Sequence, residues 1–61
     1  MNLIICGISG KMGNFVYESA KKSGINVVCG IDKTISGNFD CPVYRNFDEI
    51  NDFADAIVDF S

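Results

Sequence analysis

Gly7, Gly10 and Gly13 recur at equal intervals in the segment Gly7-Ile8-Ser9-Gly10-Lys11-Met12-Gly13, with one cation, Lys11, inside it. Glycines so spaced permit a tight turn and let the backbone approach a bulky anion closely. The segment directly follows an apolar run at residues 3–6 and opens a helical pattern. In that context the unpaired N–H groups of the first helical turn, together with the helix dipole, favour a phosphate. The arrangement is that of the turn cradling the pyrophosphate of a dinucleotide, although G-x-x-G-x-x-G departs from the usual G-x-G-x-x-G spacing. The alternative is a glycine-rich turn with no ligand. It is not a phosphate-hydrolysing P-loop: Gly10-Lys11 is followed by Met12 rather than Ser or Thr, and no glycine lies five residues before Gly10.

Four other positions join this segment. Lys11 is placed to reach a phosphate, or else is an exposed first-turn lysine. Met12 packs against a cofactor or, by its i+4 relation to Val16, into the core. Asp32 closes the second apolar run, 19 residues after Gly13. There a carboxylate accepts hydrogen bonds from the ribose hydroxyls of adenosine; the alternative is a turn aspartate capping its own loop. Lys33 beside it offers a cation to the 2′-phosphate of NADP, which Asp32 alone would repel. The Asp32–Lys33 pair therefore predicts tolerance of both cofactors. Further along, Asp59-Phe60-Ser61 ends a third run, where an acidic residue holds a neighbouring loop and Phe60 and Ser61 lie near the nicotinamide half, Phe60 alternatively packing in the core.

The elements that must position these residues follow from hydrophobic pattern. Residues 3–6 form a continuous apolar run, as in a strand buried on both faces. From Lys11 to Lys22 the apolar positions Met12, Val16 and Ala20 recur every four residues, with Phe15 and Ser19 alongside. Lys21 and Lys22 suit the negative end of the helix dipole. Gly24 suits the left-handed residue just past the helix. Residues 25–31 read as a second strand and residues 34–42 as loop. Val43-Tyr44 reads as a short strand. Asn46 and Glu49 resemble a capping box opening a short helix at 47–51, and residues 54–60 read as a third long strand. The order β-α-β-β-α-β implies an α/β fold with a parallel sheet.

Bulk properties narrow the function classes. The chain has 61 residues, a formal charge of −3 and a pI near 4.4, with no basic patch, which argues against binding nucleic acid by charge. Asp48, Glu49, Asp52 and Asp55 read as a solvated face. The odd count of cysteines (Cys6, Cys29 and Cys41) argues against a disulfide framework, and Cys6 and Cys29 read as small buried hydrophobes. With no His and no C-x-x-C, no metal site is expected. No signal peptide or membrane span is expected, which makes the cytoplasm the default compartment. A domain near this size buries only about 60% of its unfolded surface. The strand at the carboxyl end leaves the ligand edge of the sheet without a covering segment, so the 61 residues are expected to be the N-terminal piece of a longer protein.

Three motifs in order, Gly7-Ile8-Ser9-Gly10-Lys11-Met12-Gly13, Gly30-Ile31-Asp32 and Val58-Asp59-Phe60-Ser61, make the chain resemble the N-terminal region of the 4-hydroxy-tetrahydrodipicolinate reductase (dihydrodipicolinate reductase) family over its whole length. The resemblance implies a Rossmann-type cofactor domain at 1–61, followed in the whole protein by a substrate domain absent here. It implies reduction of 4-hydroxy-tetrahydrodipicolinate to tetrahydrodipicolinate with NADH or NADPH in lysine and diaminopimelate biosynthesis, by a homotetramer. Carried over, Gly7, Gly10, Lys11, Met12 and Gly13 contact cofactor. Asp32 takes the adenosine ribose, Lys33 the 2′-phosphate, and Phe60 and Ser61 the nicotinamide ribose. The family's catalytic His and Lys have no counterpart here, so no catalytic residue is assigned, and the 61 residues alone are expected to be inactive and to hold cofactor weakly. The alternatives are a non-catalytic nucleotide-sensing module or another NAD(P)-dependent dehydrogenase.

Overall fold

A computed structural model describes residues 1–34, 39–50 and 54–60. The elements are β1 (Asn2–Cys6), α1 (Lys11–Lys22), β2 (Asn26–Ile31), β3 (Val43–Tyr44), a single 3₁₀ turn η1 (Phe47–Glu49) and β4 (Ala56–Asp59). The strands form one wholly parallel sheet in the order β3-β2-β1-β4. That order matches four neighbouring strands, 3-2-1-4, of a doubly wound dinucleotide-binding sheet.

β1 lies at the centre and is buried on both faces, as its continuous apolar run requires. Leu3 and Ile5 face α1 and pack with Tyr17, Ala20 and the turn residue Ile8. Ile4 and Cys6 face the other way and pack with Cys29 and Ile31, with Tyr44, Ile50 and Ala54 around them. Cys6 and Cys29 are buried as free thiols.

The helix runs over the predicted residues, and its buried face is the predicted one in part: Ala20 is buried and Val16 packs against the core, but Met12 is not there. Gly13, Tyr17 and Ala20 are buried, whereas Met12 and Phe15 are each 59% exposed. The i, i+4, i+7 set 13, 17 and 20 wins because the N-terminus of α1 must lie close against the turn. Only a glycine fits there: a Cβ on Gly13 would stand 2.1 Å from the Gly7 carbonyl oxygen. Once Gly13 faces inward, helical geometry turns Met12 outward. Gly24 ends the helix at φ +77°, as predicted.

Three elements are shorter than predicted, β2 by its first residue only. The second helix is the single turn η1; its predicted end, Asn51, lies outside the described residues. The Glu49 half of the capping box forms, with the Glu49 carboxylate accepting the N–H groups of Arg45 (3.0 Å) and Asn46 (3.3 Å). β4 covers four residues, because only Ala56–Asp59 run alongside Leu3–Cys6. Of the acidic positions expected on a solvated face, Asp48, Glu49 and Asp55 are exposed. Asp55 is also tied to the sheet, its carboxylate accepting the Asn2 N–H at 2.7 Å. Asp52 lies outside the described residues.

Candidate functional site

The site begins with a β-bulge. β1 pairs with β2 as Leu3 with Val27 but Ile4 with Cys29, which leaves Val28 as an extra residue. A bulge re-aims every side chain beyond it. Here Cys29 and Ile31 fall on the face away from α1, and Gly30 falls under the glycine turn. Ile8 rests directly on Gly30: a Cβ at position 30 would lie 2.6 Å from the Ile8 side chain. Ile8 is fully buried. The apex of the turn is thus nailed into the core by its own side chain, while Gly7 and Gly10 remain at the surface edge.

Backbone bonds complete the turn. The N–H of Gly7 donates to the Ile31 carbonyl at 2.6 Å, and that of Gly10 donates to the Gly7 carbonyl at 3.1 Å. Gly7 sits at φ +76°, a conformation side chains resist. Gly10 is the extended N-cap of α1 and carries no capping side chain. Geometry leaves the N–H groups of Lys11, Met12 and Gly13 without intrahelical partners, and they point out of the start of the helix.

Asp32, just past β2, reaches back to this turn. One carboxylate oxygen accepts the Ser9 N–H at 2.9 Å and the other the Thr34 N–H at 3.1 Å. The acid is half-buried and held on two sides. Both sequence readings therefore apply to its bonding: it caps its own loop through Thr34, and it also grips the glycine turn through Ser9.

A cleft of about 490 Å³ runs along the carboxyl edge of the sheet. Cys6, Gly7 and Gly10 supply the β1 side, Ile31, Asp32 and Lys33 the β2 side, and Asp59 and Phe60 the β4 side. Arg45, Asn46 and Phe47 close it beyond β3. A volume of that size suits a small-molecule or cofactor site. Burial, reinforced by the nearby Asp59 carboxylate, pushes the Cys6 thiol pKa up, so Cys6 enters the cleft wall as a neutral group.

Five of the predicted site residues therefore come together in one cleft: Gly7, Gly10, Asp32, Lys33 and Phe60. Lys11 is exposed and borders a shallower depression with Ser9, Asn14 and Phe15, joined to the cleft at Gly10. Met12 stands exposed at the head of the helix rather than in the core. Gly13 is buried beneath Gly7 and lets helix and turn meet. Phe60 is 40% exposed in this chain and lines the cleft. Ser61 lies outside the described residues. Sequence reasoning missed Arg45 and Phe47 and took Asn46 only for a cap. The available signal was topological: in a parallel sheet, whatever follows β3 emerges at the same edge as Asp32.

The comparisons with known proteins agree with this geometry. A family model described as dihydrodipicolinate reductase, N-terminus, matches residues 1–61. A 4-hydroxy-tetrahydrodipicolinate reductase of Caldanaerobacter subterraneus subsp. tengcongensis is 42% identical over 62 aligned positions, covering all of this chain. Proteins of the same name from Clostridium novyi and Clostridium tetani are 37% and 32% identical over 97% and 100% of the chain. The chain spans 24% of the length of each of these relatives. No solved structure matches it. No described helix is long and apolar enough to cross a membrane. The chain belongs to the dihydrodipicolinate reductase family, as its N-terminal, pyridine-nucleotide-binding region.

Proposed function

We propose that the carboxyl-edge cleft holds NADH or NADPH for the reduction of 4-hydroxy-tetrahydrodipicolinate to tetrahydrodipicolinate, in a whole enzyme of which residues 1–61 form part of the cofactor domain. The observation that carries this reading is the joining of the glycine turn to Asp32 through the Ser9 N–H at 2.9 Å. It holds the glycine turn and the Asp32 carboxylate together, which supports reading the one as a pyrophosphate cradle and the other as the ribose acceptor. The bound nicotinamide supplies the hydride. The residues of this chain bind and orient. Gly7 and Gly10 admit the pyrophosphate to the first-turn N–H groups of α1, and Lys11 adds a cation from the flank. Asp32 accepts the adenosine ribose hydroxyls with the lone pairs its two N–H partners leave over. Phe60 and Ser61 flank the nicotinamide end. By the family resemblance the whole enzyme is a cytoplasmic homotetramer of the lysine and diaminopimelate route, and residues 1–61 alone are without activity.

A chimera tests this reading. Residues 1–61 are joined to the remaining three quarters of the Caldanaerobacter reductase and assayed by the loss of nicotinamide absorbance. Activity with NADH and with NADPH within a hundredfold of each other is expected. Asp32→Asn should raise KM for NADH about tenfold, the loss of one hydrogen bond to a charged acceptor, with kcat little changed. A chimera that folds and binds neither cofactor rules the reading out.

A further inference from the structure

We propose that Arg45 is a specificity-determining residue of this cleft, whose guanidinium joins the Lys33 ammonium in holding the 2′-phosphate that distinguishes NADPH from NADH. The proposal rests on the cofactor reading above and adds to it a residue on a different strand. Ile31 pairs with Tyr44, and the Asp32 N–H donates to the Tyr44 carbonyl at 2.9 Å. Asp32 and Arg45 are therefore the next residues along two neighbouring strands, and both line the cleft.

Charge makes the need for a second cation plain. Asp32 is held by the Ser9 and Thr34 N–H groups, so it cannot swing away from an incoming phosphomonoester. Lys33 alone only offsets that fixed negative charge. A dianionic phosphate beside Asp32 requires a surplus of positive charge, and Arg45 supplies it. Asp59, the other acid of the cleft, stands at the β4 end, beyond β1 from Asp32. The nearer carboxylate, Glu49, is committed to the backbone N–H groups of Arg45 and Asn46, which fixes the base of the Arg45 side chain. Among the described residues the ion pair formed is Lys21 with Asp40, and neither Lys33 nor Arg45 is drawn into one. Both are exposed. A guanidinium also suits the task geometrically, since it meets phosphate oxygens through two parallel N–H donors.

The test compares two probes that differ only in the 2′-phosphate: adenosine 5′-monophosphate and adenosine 2′,5′-bisphosphate. Each is titrated into the isotope-labelled chimera described above, and the amide shifts of Gly10, Lys11, Met12 and Gly13 are followed. Arg45→Gln is expected to weaken the bisphosphate about tenfold, the equivalent of one charge-assisted contact, and the monophosphate less than about twofold. Arg45→Lys should fall between the two. Added salt should weaken the bisphosphate more steeply than the monophosphate in the unchanged chain, and Arg45→Gln should narrow that difference. Equal effects on both probes, or none, overturn the role of Arg45 and leave the cofactor reading standing. Failure of both probes to move those amides at millimolar concentration overturns the two together. The amide spectrum of each variant reports directly on folding.

Discussion

Gly13 has less room than Gly10 or Gly30. Its absent Cβ would lie 2.1 Å from the Gly7 carbonyl oxygen and 2.8 Å from Ile8 Cα, both backbone atoms that no rotamer change can move aside. Gly13→Ala should therefore cost about 3 kcal/mol, the upper range for overpacking, measured by denaturant unfolding. Because the strain falls on the turn, the same variant should lose nucleotide binding even where it remains folded. Gly10 differs sharply. A Cβ there would meet the Gly7 oxygen at an ordinary 3.4 Å, so Gly10→Ala should fold normally. The same spacing of glycines in the sequence thus hides two different jobs, and only the structure separates them.

At the scale of elements, α1 does two things at its two ends. Its first turn presents N–H groups at the cleft, and its last turn clamps the segment leading into β3. There the Asp40 N–H donates to the Tyr17 hydroxyl at 2.8 Å, and the Phe39 ring stands edge-on to Tyr17 at 5.0 Å between centroids. Lys21 pairs with the Asp40 carboxylate at 2.7 Å. Tyr17→Phe removes the acceptor of a part-buried N–H and should cost about 1 kcal/mol in thermal or chemical unfolding. The Asp40 carboxylate, as hydrogen-bond partner, raises the Lys21 pKa above its ordinary 10.5. A raised value in the folded state means that this contribution is whole below the ordinary lysine pKa. It is lost only as pH rises through the raised value. Unfolding followed against pH should therefore show Lys21→Met differing from the parent by a constant amount near neutrality, the difference closing only in strong alkali. The helix limits, the C-terminal glycine and the short β3 strand were all legible in the sequence, because each has a local cause in hydrophobic period, turn chemistry or strand propensity. The inward face of α1 was legible only in part: Val16 and Ala20 lie on it as read, but Gly13 and Tyr17 were not foreseen there. It is decided by a contact with a turn outside the helix, which an i+4 pattern of apolar residues cannot report.

The whole molecule is a parallel sheet whose four carboxyl ends share one edge. That arrangement explains why residues far apart in sequence, Gly7 and Gly10, Asp32 and Lys33, and Asp59 and Phe60, meet in one cleft. It also explains why their order could be read before the fold was known. What could not be read was the bulge at Val28. Residues 25–31 look uniform as a strand, yet the one-residue slip decides that Gly30 lies under Ile8. The β3 contribution to the cleft was hidden for a related reason: Arg45, Asn46 and Phe47 carry no motif of their own, and only pairing of β3 with β2 brings them to Asp32.

The seating of Ile8 on Gly30 has a thermal consequence. Besides its backbone bonds and the Asp32 carboxylate, the ligand loop is anchored by a fully buried side chain of the hydrophobic core. Warming that loosens this contact should blur the loop before the sheet melts. Nucleotide affinity would then decline at temperatures where the backbone signal is still native. Ile8→Val, a loss of about 1 kcal/mol in a well-packed site, should bring that decline to lower temperature by more than it lowers the melting point itself. Calorimetric titration at several temperatures, set beside a melting curve, would register the gap between the two.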